Sequence, residues 1–119
     1  MAGDAVYSML GLCAKAGKLI CGQDQTEKAV RERKAFLVMI STDASEGTKK
    51  RMRDKCASYN VPLAEYGLKE ELGRAVGKQE RSCIAVTDKG LADTMIRKTG
   101  GINPAAYFIH GGGNEDGKG

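Results

Sequence analysis

The sequence lacks any long apolar run. No stretch approaches the roughly 20 residues a helix needs to span a bilayer, so no membrane segment is expected. It also lacks a leader: Met1-Ala2-Gly3-Asp4 sets no basic flank before an apolar stretch, so no secretory signal is read and the cytoplasm is the expected location. The only histidine, His110, stands in a glycine-rich tail, and the four cysteines, Cys13, Cys21, Cys56 and Cys83, make no C-x-x-C pair. A zinc site needs two close-spaced ligand pairs, so no metal is expected, and the cysteines read as reduced, buried thiols.

The same scarcity bears on catalysis. With His110 in the tail, no Ser-His-Asp arrangement is suggested. Asp43 and Asp88, both at expected strand ends, are the remaining carboxylate pair and read more simply as caps. G-x-G-x-x-G is absent, and Gly17-Lys18 is followed by Leu19 with no glycine five residues before Gly17, which excludes a nucleotide P-loop. The expectation is a protein that is not an enzyme and carries no cofactor. No internal repeat is visible.

What remains is a chain of 119 residues and 12.7 kDa, the size of one domain, with 41% apolar and 29% charged residues. That is too apolar for a disordered chain. Nineteen Lys and Arg against fifteen Asp and Glu give a formal charge of +4. The excess lies wholly in the first sixty residues, with eleven basic and seven acidic side chains, whereas the remainder holds eight of each. Such asymmetry suits a face that meets a polyanion, or simply a solvated surface.

Hydrophobic periodicity predicts alternating helices and strands. Val6, Met9, Leu10, Cys13 and Ala14 form one apolar helical stripe that Gly17 ends. Leu19-Ile20-Cys21 is a short strand. A second helix is expected over residues 23–33 with Ala29 and Val30 turned inward. The run Phe36-Leu37-Val38-Met39-Ile40 has the character of a strand covered on both faces. Ser41-Thr42-Asp43 is a loop, and Ser45 is a plausible cap for a third helix reaching Tyr59, in which Thr48, Met52, Cys56 and Tyr59 share a face. Lys49, Lys50, Arg51, Arg53 and Lys55 cover much of that helix's remaining surface, as a solvated face or as a second contact with RNA or a protein. After Asn60-Val61-Pro62, a strand over 63–66 and a short helix marked by Leu68, Leu72, Ala75 and Val76 are expected, closed by Gly77. Cys83-Ile84-Ala85-Val86 is another buried strand, and Thr87 or Asp88 caps a last helix carrying Leu91, Ala92, Met95 and Ile96. The alternation predicts an α/β layered domain with helices on both sides of a small sheet. From Gly100 the composition changes, with seven glycines in twenty residues interrupted by Tyr107-Phe108-Ile109.

The most informative segment runs from Lys15 to Arg31. Gly22 falls directly between a strand and a helix, where the free N–H groups of a first helical turn and the positive end of its dipole suit a phosphate. Gln25 and Lys28, three apart, project from one face of that turn. Gln donates and accepts at base edges, and Lys reaches a purine O6 or N7. Lys15 and Lys18 are expected to flank the same end, and with Lys28 and Arg31 to neutralise RNA backbone. A strand-Gly-helix junction that merely caps the helix is the plainer alternative.

Several blocks in order, A-G-K-L, G-x-x-Q-x-x-K, D-A-S-E-x-T-K-K, D-K-C, Y-N-V-P, E-E-L-G-x-A-x-G-K and A-V-T-D, resemble the kink-turn RNA-binding ribosomal-protein family of the L-seven-Ae and L-thirty-e proteins, and within it the small bacterial YlxQ-like branch. The resemblance covers about residues 5–99 and implies a three-layer α/β/α sandwich with a small four-stranded mixed sheet; the expected division is an RNA-binding domain over residues 1–99 and, from composition, a Gly-rich tail over 100–119. It implies binding to structured, kink-turn-like RNA bent by tandem sheared G·A pairs, ribosomal RNA being one source, with ribosome association and a monomeric state expected. It further implies that Gly22, Asp24, Gln25 and Lys28 read the guanines of those pairs. Thr42 and Asp43 are expected nearby, and the Glu80-Arg81-Ser82 loop is expected over a flipped-out nucleotide. The best-known members carry Asn-Glu where this chain has Asp24-Gln25; Asp accepts from guanine N1/N2 or adenine N6 but cannot donate to an O6.

Three functions follow as alternatives: an RNA-binding protein, a protein-interaction adaptor using the tail and the basic third helix, and a small nucleotide-binding domain using the Gly22 helix start.

Overall fold

The computed structural model describes residues 5–98; the tail, with Tyr107-Phe108-Ile109 and His110, lies outside the described residues. Nine elements follow one another as α1 (Ala5–Lys15), β1 (Leu19–Cys21), α2 (Gln23–Arg31), β2 (Leu37–Ile40), α3 (Glu46–Tyr59), β3 (Leu63–Glu65), α4 (Lys69–Ala75), β4 (Cys83–Val86) and α5 (Lys89–Lys98). The four strands form one mixed sheet in the order β1-β4-β2-β3, with β4 antiparallel to both neighbours and β2 parallel to β3.

The strands at the centre, β2 and β4, are buried throughout, and the pleat sorts their side chains between two cores. Leu37, Met39, Ile84 and Val86 join Leu10 and Cys13 of α1, Leu72 of α4 and Met95 of α5. Val38, Ile40, Cys83 and Ala85 join Val30 of α2 and Met52 and Cys56 of α3. The result is the three-layer α/β/α sandwich, with α1, α4 and α5 on one face and α2 and α3 on the other. A side chain such as Leu10 or Met52, wholly removed from water, contributes about 1.5–3 kcal/mol each.

Local chemistry fixes the element ends. Ser45 caps α3, its Oγ accepting from the Thr48 amide at 3.1 Å, and Asp88 caps α5 by accepting from the Leu91 amide at 2.9 Å. The second helix stops two residues short of expectation. Arg33 turns into the left-handed region (φ 60°), and the Arg33 and Lys34 amides donate back to the Val30 and Ala29 carbonyls. Leu68, expected within the fourth helix, is instead the extended residue before α4 and is 46% exposed. Its side chain cannot cap, so other carboxylates close the turn: distant Asp43 accepts from the Lys69 amide at 3.0 Å, and Glu71, one turn on, from the Leu68 amide at 3.1 Å.

Three cysteines are buried as expected, but Cys21 is only half-buried. Burial pushes the Cys56 thiol up to about 12 and Cys83 to about 11, so both stay protonated at neutral pH. Among the described residues no three metal-ligating side chains cluster, and no helix is long and apolar enough to cross a membrane.

Candidate nucleic-acid interface

One end of the sheet gathers most of the expected site. There β1, β2 and β3 finish while β4 begins, as the pairs Cys21↔Ile84, Ile40↔Cys83 and Ile40↔Glu65 require. The segments that leave this edge are the start of α2, the loop into α3, the loop into α4 and the loop out of α4.

The start of α2 is built by Gly22. Its N–H donates to the Cys83 carbonyl at 2.9 Å, tying the turn to the sheet, and its carbonyl accepts from the Thr26 amide at 2.9 Å to open the helix. Between these bonds the backbone adopts φ 103° and ψ 148°, a conformation that only glycine takes without strain. No side chain caps this end, so the amides of the first turn face outward at the positive end of the helix dipole.

The roll of α2 decides which side chains face out with them. Thr26, Glu27, Ala29 and Val30 are buried, and with 3.6 residues per turn this leaves Asp24, Gln25 and Lys28 exposed together. The roll is held by polar anchors on α3. Arg51 grips the Glu27 carboxylate through both Nε and a terminal nitrogen, and Arg31 stands 3.9 Å from the same group. Glu27 is only 4% exposed, and the Arg51 hydrogen bond holds its carboxyl below the ordinary range. One turn earlier, Gln23 Oε1 accepts from the Thr48 hydroxyl at 3.0 Å, and that hydroxyl accepts from Ser45 Oγ at 3.0 Å.

The neighbouring loops are bound into the protein itself. Thr42 donates to the Gly67 carbonyl through both its amide, at 2.8 Å, and its hydroxyl, at 3.0 Å. Asp43 caps α4, and the Lys69 amide lowers its carboxyl below the usual value. These two residues brace the rim beside the Gly22 turn with their polar groups already partnered. Ser82 accepts the Ser41 amide through its carbonyl at 2.9 Å. The guanidinium of Arg81 donates to the Glu80 carbonyl at 2.8 Å and lies against Cys21, partly offsetting the upward shift that burial imposes on that thiol. Beside it, Arg74, Lys78 and Arg81 with Glu70 and Glu80 line an open polar hollow of about 570 Å³.

Three expected residues lie elsewhere. Lys15 and Lys18 do not flank the Gly22 turn: the Lys18 carbonyl accepts from the Thr87 amide at 2.9 Å, past the far end of β4. An extended strand advances about 3.3 Å per residue, so β1 carries Lys18 about 13 Å from Gly22. Arg31, at the other end of α2, is likewise about 13 Å along the helix from Gly22 at 1.5 Å per residue, and pairs with Glu27.

Four of the five cations on α3 are also engaged. Lys49 and Arg53 pair with Glu65, Lys50 with Asp54, and Arg51 with Glu27. The face is laced with ion pairs to Glu27, Asp54 and Glu65, although Lys50 and Arg51 stay open to water.

Sequence reading missed Glu27 and Gln23, which touch no candidate ligand but orient those residues that face one. The spacing of Glu27 and Arg31 four apart signalled one ion pair. The decisive partner, Arg51, comes from another helix.

The family model described as "Ribosomal protein L7Ae/L30e/S12e/Gadd45 family" matches residues 4–96. The chain is 40% identical over 96 residues to the RNA-binding protein YlxQ of Bacillus subtilis, covering 81% of this chain and 96% of that one. It is 36% identical over 99 residues to the large ribosomal subunit protein eL30 of Spodoptera frugiperda, covering 77% and 83%. Among solved structures, a protein of unknown function from Bacillus halodurans C superposes with TM-score 0.77 at 42% identity, covering 78% of this chain and 94% of that one. The Giardia lamblia 15.5kD RNA binding protein shares the fold, with TM-score 0.70 at 21% identity over 81% and 85% of the two chains.

Proposed function

This chain belongs to the ribosomal protein L7Ae/L30e/S12e/Gadd45 family, in the bacterial branch of the YlxQ proteins, and we propose that it is a non-enzymatic RNA-binding protein. Its interface is the sheet end built around Gly22, and its preferred ligand is a kink-turn or similarly bent RNA, ribosomal or otherwise tied to translation. The names of its relatives, RNA-binding protein and large ribosomal subunit protein, support that class of ligand.

The observation that carries the reading is the uncapped first turn of α2, with Asp24, Gln25 and Lys28 held outward by the Glu27–Arg51 anchor. Each group has a defined task against a folded RNA. The outward amides receive a phosphate. Lys28 donates to a guanine O6 or N7, and Gln25 donates and accepts at a neighbouring base edge. Asp24 accepts from guanine N1 and N2 or adenine N6, which selects against an edge that presents only acceptors. The hollow beside Arg81 is open to a nucleotide displaced from the stack. A sharply bent duplex widens its groove, so shape supplies specificity that a few side chains alone do not.

Calorimetric titration of the full chain against a kink-turn hairpin, and against the same hairpin with its G·A pairs replaced by Watson–Crick pairs, tests the proposal. Tighter binding to the first by at least tenfold is expected. Equal affinity for both removes the kink-turn claim, and affinity for neither removes RNA binding.

A further inference from the structure

The sheet end opposite Gly22 carries its own combination of groups. There the register sets three rim residues side by side: the Thr87 amide donates to the Lys18 carbonyl at 2.9 Å, and the Phe36 amide to the Val86 carbonyl at 2.8 Å. Phe36 is 38% exposed, one of the few large apolar side chains left open to water. With half-buried Leu19 and Ile20 it floors an open hollow of about 440 Å³, whose walls include Arg33, Lys34 and Thr87.

The two charged residues that line this hollow, Arg33 and Lys34, are both cations. Arg33, and Lys18 between the lining residues Gly17 and Leu19, make no ion pair among the described residues, in contrast to four of the five cations of α3. The Arg33 guanidinium sits over the Tyr59 ring, 5.4 Å from its centroid, and its backbone is in the left-handed region. The carboxylates at this end have other partners. Glu32 pairs with Lys34 at 3.2 Å, Asp93 pairs with Lys89 at 2.9 Å, and Asp88 caps α5.

An apolar, ring-bearing floor inside a cationic rim is complementary to a nucleotide, which joins a flat base to an anionic phosphate. It suits an unpaired strand best, because only there is a base face free to stack. We propose that Phe36, with Lys18, Arg33 and Lys34, forms a second RNA-contact surface that takes an unpaired nucleotide of a single-stranded segment. This surface stands whether or not the Gly22 turn reads a kink. It gives the protein two contacts at opposite ends of one sheet, so that a folded element and a flanking strand are held at once.

Fluorescence anisotropy of the full chain with a fluorescein-labelled decauridylate tests it. Wild type binds, and weakens with salt. Lys18→Ala with Arg33→Ala lowers affinity about tenfold and flattens the dependence of log K on log salt by about 1.4, two phosphates at roughly 0.7 each. Phe36→Ala loses about tenfold, whereas Phe36→Tyr, which keeps the ring, retains binding. Lys50→Ala, on the ion-paired face of α3, changes nothing. Circular dichroism melts accompany each variant; if Phe36→Ala unfolds, the Tyr substitution and the exposed double variant decide. A 4-thiouridine probe is expected to crosslink within residues 33–36. Crosslinks confined to residues 22–28, or wild-type affinity in the double variant, overturn the proposal. Competition by poly-glutamate as effective as unlabelled decauridylate overturns it too, in favour of an acidic protein partner.

Discussion

Helices α2 and α3 lie side by side on one face of the sheet, and their cations have opposite fates. The third helix carries five lysines and arginines to the second's two, Lys28 and Arg31. Yet four of those five are paired with carboxylates of the same fold. In α2, Arg31 stands near Glu27, while Lys28 faces outward with Asp24 and Gln25 beside free amides. The comparison teaches that charge density alone does not mark an interface. A cation available to a ligand is one whose neighbours have not already answered it, and that depends on which helix lies opposite.

The contrast can be broken at its hinge. Replacing Glu27 by Ala removes the buried partner of Arg51 and Arg31; because both guanidiniums are then free to rehydrate, the expected cost is the lost charge-assisted hydrogen bonds, about 2 kcal/mol of stability. A chemical denaturation series checks this; a loss below about 1 kcal/mol means that the anchor does not hold α2. Gly22→Val forces a β-branched residue into a positive-φ conformation and should cost about 2 kcal/mol. The accompanying distortion of the first turn should weaken RNA binding more than the fall in stability explains.

The contrast can also be sharpened. Lys28→Ala is expected to weaken binding to a kink-turn hairpin about tenfold, near 1.4 kcal/mol, while Lys50→Ala stays within twofold. Equal losses in the two variants would show that the α3 face contacts RNA after all. The smallest effect is in acid. Because Arg51 lowers the Glu27 carboxyl in the folded state, its contribution is complete above the ordinary value of 4.5 and fades as pH falls through the lowered folded value. Glu27→Gln should flatten that acid limb of the stability profile.

Much of this architecture was legible beforehand, because hydrophobic periodicity is a local property. The apolar run before Ser41 reads as a strand covered twice, as Leu37–Ile40 is, with Phe36 left exposed at its start, and the stripe from Val6 to Ala14 reads as one face of a helix. The Gly22 turn was legible for the same reason, since strand, glycine and helix adjoin in the chain. Two errors share one cause. Lys15 and Lys18 are near Gly22 in sequence, but a three-residue strand between them carries them to the other end of the sheet. Leu68 follows helical spacing, but α4 begins one residue later because Asp43, twenty-six positions upstream, supplies the cap.

The order of elements, their two-sided burial and the residues that open α2 were written in the chain itself, because each depends on neighbours within a few positions. Which cations remain free, how α2 is rolled, and what gathers at either end of the sheet were decided only by tertiary structure. Ion pairs such as Glu27–Arg51 act through space over a few ångströms, and folding sets that separation between residues distant along the chain.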